Sequence, residues 1–190
     1  MDRSLRPGAP MYFQYRIQEK WIRFLIHPFW KPGAIDFKKA LKKASRILVV
    51  LPSSSSNRIY SKILKQIEGV FQGSHMVFID PGSVPQTENQ QLSHAILYLH
   101  MKRQTFRQLR KSHVLTNFSR ETYDMLLDLD PDFSLVGFYI ARLNRLSLTA
   151  GFSKPCSDRY YNIQYKGSAE STYEEKCLGL IRFLKAFTSR

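Results

Sequence analysis

Residues Tyr123–Phe152 read YDMLLDLDPDFSLVGFYIARLNRLSLTAGF, and the fold is decided by how that stretch is punctuated. Met125, Leu126, Leu127 and Leu129 form a short apolar run, as in a strand buried on both faces of a parallel sheet. Asp128, Asp130, Pro131 and Asp132 stop it. Apolar residues then return at helical spacing at Leu135, Val136, Tyr139, Ile140 and Leu143, and Leu146–Ala150 turns extended before Gly151. Strand, helix and strand within about thirty residues is the size of a right-handed parallel crossover. An α/β domain is expected.

The flanking chain extends the pattern. Arg46–Leu51 (RILVVL) is an apolar strand, Pro52 and Ser53–Ser56 form a turn, and Ile59, Ile63, Ile67, Val70 and Phe71 give the stripe of a following helix. Gly73 stops that helix and His75–Ile79 (HMVFI) is a second strand. Strand, tight turn, helix and strand is the start of a Rossmann-like doubly wound sheet. Ala95–Leu99 reads as a third strand, and Lys102–Lys111 (KRQTFRQLRK) as a basic helix. His113–Phe118 stays open between strand and helix end. Phe152–Tyr165 is an irregular aromatic segment leading to a last edge strand. Ser171 and Glu174 form a capping-box pair opening a final helix, with Tyr173, Cys177, Leu180, Ile181 and Leu184 on its buried face.

Ahead of the domain lies a different kind of segment. In Met11–His27, Phe13, Ile17, Trp21, Phe24 and Leu25 share one helical face, and Arg16, Glu19, Lys20, Arg23 and His27 the other. One reading is an interfacial helix on an anionic membrane, with Phe13, Arg16, Ile17, Lys20, Trp21, Arg23 and Phe24 as the contact. The other is a helix packed on its own domain. Pro28, Pro32 and Gly33 separate it from the body, and Phe29 and Trp30 add aromatic surface. The organisation is thus a basic helix with linker over 1–35 and an α/β domain over 36–190, after a short helical turn at Phe37–Ala44 leads in.

Composition bounds the partners. With 43% hydrophobic residues the 190-residue chain builds a core, and 29 Lys plus Arg against 15 Asp plus Glu leave a net charge of +14. That excess favours an anionic partner: nucleic acid, anionic lipid or a phosphorylated molecule. A plain solubility feature is the competing reading. Cys156 and Cys177 cannot build a disulfide framework, and neither has a Cys or His at metal-ligand spacing, so a reducing compartment and no metal are expected. No run approaches the ~20 apolar residues of a membrane span. The amino terminus lacks a secretory pattern, and a cytoplasmic location is expected by elimination.

Four groups of residues could carry chemistry. Ser53, Ser54, Ser55, Ser56 and Asn57 stand where a doubly wound fold presents helix amides to phosphate, although the glycine patterns of dinucleotide and P-loop sites are absent and a serine-rich turn also serves as a plain cap. Asp128, Asp130 and Asp132 alternate like a calcium loop, but Phe133 replaces its glycine and Tyr139 its bidentate glutamate. The competing reading is carboxylates capping the next helix. The histidines at 27, 75, 94, 100 and 113 form no catalytic order, and His75, opening a strand, reads as structural. Arg103, Arg107 and Arg110 could follow a nucleic-acid backbone, but the interleaved aromatics for base stacking are missing.

Taken in order, RILVVLP, an amphipathic helix, HMVFID, then YDMLLDL, a helix and LSLTAGF resemble the N-terminal half of glycosyltransferase family nine, the heptosyltransferases. The resemblance spans about Arg46 to Phe152. It implies a two-domain enzyme whose second Rossmann-like domain holds the nucleotide-sugar donor, so that this chain corresponds to the acceptor-facing half. It also implies that a basic aromatic helix before the first strand docks to the inner membrane surface. One departure matters most. The family's catalytic Asp aligns with Asn57, preceded by Ser56 in place of Gly, and an amide accepts no proton at neutral pH.

Three functions are therefore expected to compete. The first is a non-catalytic, heptosyltransferase-like protein without a cofactor, peripheral on the cytoplasmic face of the inner membrane. It would bind an anionic saccharide, lipid or protein partner in lipopolysaccharide-type envelope glycan synthesis. The second is a glycosyltransferase completed by a separate donor-domain protein or a homodimer, with Asp128 or Asp130 as substitute base. The third is a nucleic-acid-binding module.

Overall fold

The computed structural model describes residues 35–52, 57–80, 96–98, 121–131, 135–144, 148–154, 157 and 160–188, which belong to one unit, Ala34–Arg190. The expectations for Met11–His27 and its linker, Ser53–Ser56, Lys102–Lys111, His113–Phe118, Asp132, Cys156 and the histidines at 27, 94, 100 and 113 lie outside the described residues.

Apolar runs become strands wherever a Pro, Gly or Asp closes them. In chain order the elements are α1 (Phe37–Lys43), β1 (Arg46–Val50), α2 (Asn57–Val70), β2 (His75–Asp80), β3 (Ile96–Tyr98), β4 (Met125–Asp128), α3 (Leu135–Asn144), β5 (Leu148–Phe152), β6 (Ile163–Tyr165) and α4 (Tyr173–Thr188). The six strands form one sheet in the order β3-β2-β1-β4-β5-β6. Every pairing is parallel, with Ile47 opposite Met76 on one side and Met125 on the other. Arg46–Leu51, His75–Ile79 and Asp124–Leu129 therefore lie side by side, and the Rossmann-like expectation is met.

Because side chains alternate across a strand, the sheet has two different faces. Ile47, Val49, Met76, Phe78, Met125, Leu127, Leu148 and Ala150 join Leu41 of α1, Ile63, Leu64 and Ile67 of α2, and Cys177, Leu180, Ile181 and Leu184 of α4 in one cluster. Leu48, Val50, Val77, Ile79 and Leu126 point the other way and are equally buried, as are Val136, Phe138, Ile140 and Ala141 of α3. A strand covered on both faces can carry apolar residues continuously, which is why RILVV and MLL do.

Two boundaries differ from the sequence reading. Gly151 lies inside β5, which runs on to Phe152. The capping box of α4 is Thr172 with Glu175. The Glu175 N–H donates to Thr172 Oγ1 (3.3 Å), and the Thr172 N–H donates back to the Glu175 carboxylate (2.8 Å). The doubled Ser-Thr and Glu-Glu allow two registers, and the ion pair between Glu174 and Lys62 of α2 accompanies the observed one. The short helical turn expected at Phe37–Ala44 is α1, capped by Asp36, whose Oδ1 accepts the Lys39 N–H at 3.1 Å. The stop after α2 is as read: Gly73 adopts φ 81°, a left-handed conformation that glycine takes without Cβ strain.

At the amino edge of the sheet, Asp124 fastens β4 to β1. Its Oδ2 accepts the Ser45 N–H (2.8 Å), the Ser45 hydroxyl (2.9 Å) and the Arg46 N–H (2.9 Å). Partial burial opposes ionisation, but the Arg46 and Ser45 donors outweigh it and hold the carboxyl below its ordinary range. A carboxyl depressed in the folded state contributes stability above its unfolded pKa and loses it as pH falls through the folded one. Asp124→Ala is expected to lower unfolding stability by about 1–2 kcal/mol at neutral pH. In urea titrations that gap should shrink below about pH 4, and a gap constant down to pH 2 would contradict the role.

Candidate functional site

In a doubly wound sheet the connections leave in opposite directions at one point, opening a crevice outside the carboxyl ends of the strands there. Here that point lies between β1 and β4. Val50 ends β1 and stands opposite Asp128, which ends β4. The ladder continues one step further, because the Leu129 N–H donates to the Val50 carbonyl at 2.9 Å.

Asp128 is fully buried, and a charge there requires a partner. Both oxygens are engaged. Oδ1 accepts the Asp130 N–H at 2.9 Å, a local turn that folds the chain back at the strand end. Oδ2 accepts the Lys154 ammonium at 3.2 Å and the Tyr161 hydroxyl. Lys154 also donates to the Asp130 carbonyl at 2.9 Å and lies 5.4 Å from the centre of the Tyr161 ring. The ion pair is almost dry, with side-chain exposures of 3% for Lys154 and 0% for Asp128. Burial, and then the neighbouring Asp128 charge, push the Tyr161 hydroxyl well above its ordinary range, so it stays protonated and donates.

The expectation that this carboxylate caps the next helix is corrected: its acceptors go to Lys154, Tyr161 and the Asp130 amide. The side chain projects to the face of the sheet that carries Leu126, away from Leu127, and a buried cation answers it more strongly than a helix end could.

The local fold that delivers these partners is unusual. A parallel connection ordinarily needs a dozen or more residues and a helix. Between β5 and β6 only residues 153–162 intervene, and Tyr160 and Tyr161 pack beside α3. Tyr160 packs edge-on against Phe138 of α3 with ring centres 5.5 Å apart, and Tyr161 lies against it at 4.4 Å. Ser157 pins the segment: its hydroxyl donates to Gln164 Oε1 at 2.6 Å and accepts the Lys154 N–H at 3.1 Å. Gly151 makes room, since a Cβ there would sit 2.7 Å from the Tyr161 ring and 3.2 Å from the Asp128 carbonyl.

The other sequence-derived candidates stand as follows. Asn57 is the first residue of α2. Asp130 is buried beside Asp128, at 7% exposure. His75 opens β2 with its side chain exposed. Cys177 is a buried thiol whose burial pushes its pKa up to about 12, so it is inert packing, as read. Ser53–Ser56, Asp132 and the seven residues assigned to a membrane contact lie outside the described residues. Among the described residues no three His, Cys, Asp or Glu side chains are placed to hold a metal ion.

Sequence reasoning missed Lys154 and Tyr161. A lone lysine two residues past an apolar strand is a signal only when the register between β4 and β5 is known. That register sets Asp128 opposite Gly151, three residues before Lys154.

No protein-family model and no curated protein matches the chain. Among solved structures it is similar to E. coli heptosyltransferase WaaC with ADP, at a TM-score of 0.55 and 15% sequence identity over 73% of this chain and 46% of that one. The chain thus spans less than half the length of that protein. The likeness shows a glycosyltransferase-like, Rossmann-like fold.

The pair makes a sharp prediction. Lys154→Met leaves a dry carboxylate unpaired and is expected to destabilise the fold by about 3–5 kcal/mol, whereas Lys154→Met with Asp128→Leu should recover much of the loss. Chemical denaturation of both variants checks it. Equal losses in the single and double variants would show that the pair is not coupled.

Proposed function

We propose that the chain is a non-catalytic relative of the acceptor-facing half of heptosyltransferase-type enzymes. It works at the cytoplasmic surface of the inner membrane, where it binds an anionic saccharide or lipid in lipopolysaccharide-type envelope glycan synthesis. The fold likeness to WaaC supplies the framework. The observation that carries the non-catalytic part is the state of Asp128. A general base needs a lone pair aimed at its substrate and a route for the proton. The Asp128 carboxylate is fully buried, and its oxygens already accept from Lys154, Tyr161 and the Asp130 amide. At the head of α2, where the resembling enzymes carry aspartate, stands Asn57.

The membrane part rests on the net charge of +14 and the basic aromatic pattern of Met11–His27. Among the described residues no helix is long and apolar enough to cross a membrane, and a surface-bound protein needs none. A second reading, catalysis completed by a donor-binding domain, has the fold likeness to WaaC behind it. It requires a base other than Asp128.

Incubation with a panel of nucleotide-sugars, ADP-linked sugars included, separates these readings. No hydrolysis or transfer above the uncatalysed rate is expected from the chain alone. Turnover that Asp130→Asn abolishes would overturn the non-catalytic reading.

A further inference from the structure

The described residues hold two exposed large apolar side chains, Phe37 at 38% and Phe183 at 37% exposure. Both lie on helices that are rich in cations. In α1, Lys38, Lys39, Lys42 and Lys43 are all exposed, and the element contains no acid. Its preceding Asp36 is engaged as the N-cap. In α4 the acids Glu174 and Glu175 sit in the first turn, while Arg182 and Lys185 are exposed further on, with no acid between Lys176 and Thr188.

The fold brings the cationic ends of both helices to one edge of the sheet. The start of α4 is at the carboxyl edge, where the Tyr173 hydroxyl donates to the Leu129 carbonyl at 2.9 Å. Sixteen residues at ~1.5 Å each make a helix of about 24 Å, longer than the strands it crosses, so its last turns reach the amino edge. The end of α1 is at that edge too, since Ala44 and Ser45 lead directly into β1, and α1 packs on α4 and β5. Of the acids at this edge, Glu121 is engaged with Arg46 at 2.8 Å and Asp124 with Ser45 and Arg46, while Glu68, in the last turn of α2, is half-buried.

We propose that the exposed face of α1, together with the last turns of α4, is a contact for an anionic lipid surface, holding the amino edge of the sheet to the membrane and turning the β1–β4 crevice away from it. The inference rests on the membrane reading above for its partner and adds a second, folded contact with a defined orientation. The chemistry favours a bilayer over a nucleic acid. The cations of α1 are all lysines, compact point charges suited to a diffuse layer of headgroups and lacking the bidentate fork that reads phosphates singly. The accompanying aromatics are phenylalanines, apolar enough to enter the headgroup boundary. The basic face and the exposed rings lie on the same two elements, whereas chance would scatter them.

The test uses the full chain and vesicles of phosphatidylcholine with or without phosphatidylglycerol. Wild-type protein should co-sediment with the anionic vesicles alone and be released by salt. The triple variant Lys38→Gln, Lys39→Gln, Lys43→Gln alters exposed side chains and should fold normally, which its thermal transition verifies. It should lose binding by about fivefold per lysine, roughly a hundredfold in all. A parallel variant, Trp21→Ser with Phe24→Ser, probes Met11–His27. If that variant loses binding while the lysine variant keeps it, the α1 contact is wrong and the membrane reading stands. If wild-type protein ignores anionic vesicles, both fall. Acetylation footprinting on vesicles reads the orientation: Lys38, Lys39 and Lys43 should be shielded, and Lys166, beyond the carboxyl end of β6, should react as in solution. Equal shielding, or preferential release from vesicles by duplex DNA, would overturn the proposal.

Discussion

The structure depends on β4 being flanked by parallel strands on both edges and covered on both faces. A strand in that position can present nothing polar along its length, and Met125–Leu127 obeys. The first polar side chain, Asp128, appears where the strand reaches its carboxyl end, and it is still fully buried. An isolated carboxylate there is untenable, because removing its hydration costs several kcal/mol unless a cation and further donors replace it. Lys154 and Tyr161 meet that demand, together with Ser157, a glycine under the Tyr161 ring and an aromatic pair against α3. One charge at the end of one strand thus constrains where Lys154 and Tyr161, on either side of Ser157, are placed.

Asp128 thus reads as a metal or general-base candidate in sequence and braces the segment after β5 in the structure. Acids alternating after a buried strand are what a metal or a general base would require. They are also what a sheet edge uses to turn its chain and anchor the next connection. The distinction lies in where the lone pairs point, and for Asp128 they point into protein. Buried ion pairs add little net stability over an apolar replacement, so the role of this one is best seen as specifying the short crossover.

The strands, their parallel order and the helices between them were legible because each rests on a local signal: continuous apolar runs, helical periodicity, and Gly or Pro punctuation. The centre of the sheet was read within a residue or two at Arg46–Val50, His75–Asp80 and Met125–Asp128. The capping box was legible only in kind, since STYEE offers two registers of equal local quality and Lys62, on another helix, pairs with the first glutamate. The partners of Asp128 were not legible at all. They come from residues 26 and 33 positions away, and no periodicity connects them until strand register is known. The Asp124 clip was hidden for the same reason, its donors lying 78 and 79 positions earlier.

The net charge, read from composition, says nothing about where it resides, and the fold resolves part of this. Lys154 is a counter-ion inside the protein, and Arg46 and Lys62 are matched to glutamates. Two of the described helices are themselves asymmetric. The acids of α4 crowd its start at the carboxyl edge, favourably placed against the helix dipole, while the cations of α1 and α4 gather towards the amino edge. A charge excess spread evenly would give solubility and no orientation. A group of cations collected at one edge would give a torque near an anionic surface, because the field falls off within a Debye length of about 8–10 Å and acts on the nearer edge alone.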